Sequence, residues 1–138
     1  MMRRSTPGRF RNQRGQSLLE TAMMIIVIFT VVFWVFELGW LMYTYSVMAD
    51  AANEGVRYAI VHSGGDVAGT TTKVKTFAAT SLHNISGISV SVTFPDNNSA
   101  TPPNRVRVIV TYTYVPWLSN YISTPTMHTY AEGRMIVE

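Results

Sequence analysis

The chain has 138 residues, no cysteine and a formal charge of +3, from 11 basic and 8 acidic side chains. Five of the basic residues, Arg3, Arg4, Arg9, Arg11 and Arg14, stand in the first 14 positions, and from Gln16 onward 6 basic residues face 8 acidic ones. The basic balance therefore describes a short leader and not a domain surface, which argues against a nucleic-acid partner, and no disulfide framework is available.

The dominant feature follows that leader. Sixteen residues separate Glu20 from Glu37, and their only polar members are Thr21 and Thr30. As a helix at ~1.5 Å per residue they span about 24 Å, and Leu38, Trp40, Leu41 and Met42 extend the run toward the roughly 30 Å of a bilayer core. A membrane-spanning helix is predicted. The positive-inside rule puts residues 1–15 in the cytoplasm and everything after about residue 45 outside, in a single pass of the cytoplasmic (inner) membrane. Glu37 then falls at the outer headgroup level, within an aromatic belt of Trp34, Trp40, Tyr43 and Tyr45.

The run is too long for the apolar core of an ordinary secretory leader, and Ala49-Asp50-Ala51 makes a poor cleavage site. More informative is Gly15-Gln16-Ser17-Leu18-Leu19-Glu20, a glycine after basic residues with a carboxylate five positions later. Glu20 has two readings: a carboxylate favoured by the positive end of the helix dipole, or an ion-pairing group that fixes register between packed helices in a low-dielectric setting.

The Gly15/Glu20 pattern resembles the class III signal peptide of type IV pilins. The resemblance implies that a prepilin peptidase cuts between Gly15 and Gln16 and that Glu20 registers the assembled helix. Further along, Glu37-Leu38-Gly39 and Ala51-Ala52-Asn53-Glu54-Gly55-Val56-Arg57-Tyr58-Ala59 are similar to motifs of the TadE-like family, pseudopilins or minor pilins of the tight-adherence (Tad, Flp) pilus. The likeness covers roughly residues 14–62 and implies a pilin-like fold. It also implies other Tad pilus subunits and assembly proteins as partners, and a role in bacterial adherence or secretion. Glu37, Gly39, Glu54, Gly55, Arg57 and Tyr58 are its motif positions. Thr21 and Gln16 depart from what many pilins carry.

From Ala49 the apolar positions Ala52, Val56, Ala59 and Ile60 mark one helical face, opposite Asp50, Asn53, Glu54 and Arg57. Glu54 and Arg57, three apart, can pair along the helix. One continuous helix over 16–62 is predicted, about 70 Å long, stopped by Ser63-Gly64-Gly65. Gly55 inside it weakens the helix, so close approach of a sheet or second helix is its expected purpose.

Residues 63–138 predict a small extracytoplasmic α+β domain. Asp66 or Thr70–Thr72 offer N-caps for a helix striped by Val74, Phe77, Ala78 and Leu82 and ending near His83-Asn84. Strands follow at 88–94, at 105–114 with Val106, Val108, Val110, Tyr112 and Tyr114 on one face, and at about 127–137. In the last, His128, Tyr130, Glu132, Arg134 and Glu138 share one side and Met127, Ala131, Met135 and Val137 the other. The expected result is a three-stranded antiparallel sheet covered on its apolar face by the helices. With no cysteine to staple so small a domain, it leans on the long helix or on neighbouring subunits.

Catalytic signals are absent from the sequence. His62, His83 and His128 are scattered, and no metal, cofactor, small-molecule substrate or enzymatic activity is expected. Asn84-Ile85-Ser86 and Asn97-Asn98-Ser99 fit a glycosylation pattern that arises often by chance. Two alternatives to a processed pseudopilin stay open: an uncleaved, membrane-anchored assembly or binding protein of the same apparatus, and a tethered extracytoplasmic enzyme.

Overall fold

A computed structural model describes residues 11–62, 65–82, 84–117, 119–120 and 123–136. Arg3, Arg4, Arg9, Ser63, Gly64, His83, Val137 and Glu138, which figure in the sequence reading, lie outside the described residues. The fold is α+β, with elements α1 (Arg11–Val61), α2 (Val67–Ser81), β1 (Ile88–Thr93), β2 (Arg105–Thr113) and β3 (Thr126–Arg134). The chain divides into two compact units, Met1–Leu38 and Gly39–Glu138.

In the first unit residues 21–36 of α1 are apolar on every face, and its large side chains from Leu18 to Phe36 are all exposed. Such a helix has nothing to bury against in water, and it is long and apolar enough to cross a membrane. Its two threonines are neutralised locally: the Thr21 hydroxyl donates to Ser17 O at 2.9 Å and that of Thr30 to Ile26 O at 2.8 Å. The backbone carbonyl one turn back thus replaces water as their partner. α1 is already helical at Arg11, five residues before the predicted start, so the expected boundary at Gln16 is not a structural one.

The second unit builds its core on the other half of α1. Val47, Met48, Ala51, Ala52, Val56 and Ala59 are buried against Val74 and Ala78 of α2 and against Val106, Val108, Val110, Tyr112, Met127 and Ala131 of the sheet. The strands are antiparallel in the order β1-β2-β3, with Val90 opposite Val110 and Val108 opposite Ala131. Alternate burial along β2 and β3 places the apolar side chains on the helix side, as a period of two requires.

Glycine sets the closest approaches. A Cβ at Gly55 would collide with Val74 and lie 3.2 Å from Val108 Cγ1, so only glycine admits α2 and β2 at this point. At Gly133 of β3 a Cβ would lie 2.6 Å from Val56 Cγ1.

Several expected boundaries shift. Asp66 is the N-cap of α2, accepting from Gly69 N at 2.8 Å, whereas the hydroxyls of Thr70, Thr71 and Thr72 lie within the helix and bond the carbonyls four residues back. α2 ends at Ser81, because Leu82 turns extended while its N–H still reaches Ala78 O. β1, β2 and β3 stop at Thr93, Thr113 and Arg134, and the next backbone bonds leave the ladder: Tyr114 N to Pro125 O and Met135 N to Asn104 O. In the β1–β2 connection Asn97 and Asn98 adopt φ of 58° and 54°, and the Pro102-Pro103 peptide is cis. Asparagine tolerates the left-handed region better than most residues.

Candidate assembly interface

The sequence-predicted residues fall into two groups. Gly15, Gln16 and Glu20 lie exposed on unbroken α1, with Gln16 and Glu20 four residues apart and so on one face. A Cβ at Gly15, or at Gly39 further along, would meet nothing within 4 Å among the described residues. Glu37 is half-buried. Beyond Gly39, the rings of Trp40 and Tyr43 lie 5.6 Å apart, and Thr44, buried, donates to Trp40 O at 2.9 Å.

The other group is absorbed into the second unit. Gly55 is the contact with α2 and β2 already described. Arg57 Nη1 sits 3.8 Å from Glu54 Oε2, a long pair with Arg57 largely exposed, worth little in solvent. Tyr58 has a role the sequence reading did not assign. Its hydroxyl donates to Asp66 Oδ2 at 3.1 Å, and its ring stacks on His62 with centroids 3.9 Å apart. Asp66 therefore caps α2 with one carboxylate oxygen and holds the end of α1 with the other. Loss of hydration, and then the adjacent carboxylate, raise the Tyr58 pKa above its ordinary value. Beneath this junction a cavity of about 10 Å³ is lined by Ala59, Asp66, Thr70, Val92, Phe94 and Met135, about enough for one water.

A charged cluster at one end of the sheet was also not anticipated. Asp96 accepts the backbone N–H of Arg105 at 2.9 Å and its guanidinium Nη2 at 2.9 Å, and these bonds hold the Asp96 pKa down at about 2. Glu132 bridges Arg105 at 3.5 Å and bonds Arg107, whose guanidinium carbon lies 5.5 Å from the Tyr130 ring centroid. Strand alternation signals which side these residues share, but not that the loop carboxylate returns to them.

The solvent face of the sheet carries Thr111, bonded to His128 Nδ1 at 3.0 Å, and Tyr130, largely exposed. Among the described residues no three His, Asp or Glu side chains come together to hold a metal ion. The geometry offers packing surfaces and ion pairs.

The family model of TadE-like proteins matches residues 15–57. Over these residues the chain is similar to TadE-like proteins. No curated protein and no solved structure matches. The TadE-like segment runs from Gly15 through Gly39 and Gly55 to Arg57; it takes in the apolar half of α1 and stops before Tyr58, α2 and the sheet.

Proposed function

We propose that this TadE-like protein is a pseudopilin of a Tad-type pilus, which takes part in its assembly for adherence or secretion by packing and not by catalysis. The observation that carries this reading is that the TadE-like segment contains a helical stretch, residues 21–36, that is apolar on every face and whose large side chains are all exposed. On this proposal α1 crosses the cytoplasmic membrane with its N-terminus inside. A prepilin peptidase cuts between Gly15 and Gln16, and Glu20 pairs with the freed amine of a neighbouring subunit, since a lone carboxylate in that setting is costly. Gly39 fits the same reading. It weakens the helix by about 1 kcal/mol relative to alanine, and a Cβ there would meet none of the described residues within 4 Å, as expected of a site kept small for another helix.

The N-terminus of protein recovered from membranes tests the proposal. A chain beginning at Gln16 supports processing, and a Gly15 replacement by a bulky residue should then retain the leader. A chain beginning upstream of Gly15 leaves the uncleaved anchor. That second reading is favoured by one observation: α1 is continuous from Arg11 through Gly15 and Gln16, so the bond to be cut must first leave a helix.

A further inference from the structure

The charges of the second unit are unevenly placed. No Asp, Glu, Lys or Arg occurs in residues 76–95 or 108–131. The charged residues of the sheet, Arg105, Arg107, Glu132 and Arg134, gather with Asp96 at one end. The other end holds the turn before β1 and the segment after β2, and there large apolar side chains face solvent: Trp117 is 85 % exposed, Val115 59 % and Ile85 40 %. Tyr112 Oη donates to Asn84 O at 3.2 Å, which places Ile85 beside the end of β2.

Contacts within the unit say which way this end faces. Gly133, paired with Val106, packs on Val56 and Ile60, whereas Val108 meets Gly55, so β2 runs back along α1 toward its N-terminal side. Tyr114, six residues past Val108, lies about 20 Å further along a strand, a distance that α1 covers in about 13 residues. That level is Met42, and the burial of Thr44 and the packing of Leu41 on the core agree with it. Val115 and Trp117 follow Tyr114 at this end of the sheet, the end that β2 carries toward Trp40 and Tyr43, the aromatic residues that close the apolar run.

We propose that this uncharged end, led by Val115 and Trp117, seats in the headgroup layer of the same membrane that α1 crosses. A tryptophan beside a proline and a valine, with no charge nearby, suits that layer: the ring enters the apolar boundary and its N–H stays hydrated. The charged end then points into water. The inference rests on α1 being a membrane span and holds for either orientation of the chain.

The absence of native cysteine makes the test direct. Full-length V115C, I85C, T101C and V32C variants, each nitroxide-labelled, are placed in vesicles of phosphatidylethanolamine and phosphatidylglycerol. Collisions with oxygen and with a water-soluble nickel complex are then compared. The expected result is an oxygen-to-nickel ratio at 115 and 85 severalfold above that at 101, which lies in the connection at the charged end. Equal, water-like ratios at 115, 85 and 101 with a lipid-like ratio at 32 overturn the docking alone. A water-like ratio at 32 overturns the span itself. Spin–spin broadening at 115 that vanishes on dilution with unlabelled protein assigns the surface to a second copy and also overturns the proposal.

Discussion

Thr129 lies on the core side of β3, 5 % exposed, and its Oγ1 has no hydrogen-bond partner among the described residues. An unpaired buried hydroxyl carries its desolvation cost without return, so T129V should raise stability by about 1 kcal/mol in thermal unfolding of the purified protein. Gly55 argues the opposite way. An alanine there gains about 1 kcal/mol of helix propensity but forces a methyl into Val74 and against Val108, an overpacking that costs about 1–3 kcal/mol. G55A should therefore lower the unfolding temperature, while G39A, with open space around it, should preserve or raise it. Y58F removes the bond between the ends of α1 and α2, and a lowered unfolding temperature is expected. Because the Tyr58 pKa is raised, the native hydroxyl's contribution is full below its ordinary value near 10 and lost as pH climbs through the elevated one. The unfolding temperatures of the native protein and Y58F should converge at strongly alkaline pH.

At the scale of elements, the connection between β1 and β2 is held shut by Asp96 on Arg105. The folded-state pKa of Asp96 is depressed to about 2, so its stabilisation stands above the usual carboxylate range and disappears as pH falls through that value. D96N should therefore unfold earlier than the native protein at pH 6 and at much the same temperature near pH 2. Periodicity made the elements legible: the face of Ala52, Val56 and Ala59 on α1 and the alternation of β2 and β3 appear in the structure where the sequence puts them. Ends were less legible, because a strand's last residue depends on bonds from distant loops, as Met135 to Asn104 shows. The Tyr58–Asp66 link and the Asp96 cluster escaped the sequence for a related reason. Each joins residues whose meeting depends on how a turn folds, and neither follows a helical or strand period.

For the whole molecule, the TadE-like segment and the folded unit overlap only along α1. Fold stability should therefore be separable from assembly. On the proposed pseudopilin role, E20Q should insert in membranes and unfold as the native protein does, yet enter pili less well; unchanged incorporation in a pull-down of assembled filaments would remove Glu20 from that role. G39A belongs to the same experiment, since its own unit leaves room for the methyl, and a defect confined to assembly would place a partner helix there.

Between Asp96 and Arg105 the backbone passes through two left-handed asparagines and a cis proline pair, with none of its residues among the buried core. The clasp pins both jaws of this loop and Asn104 O holds Met135 N, so residues 97–103 between these anchors can be exchanged or tagged without unsettling the sheet. That stretch is the natural place for an epitope by which to follow the protein in living cells.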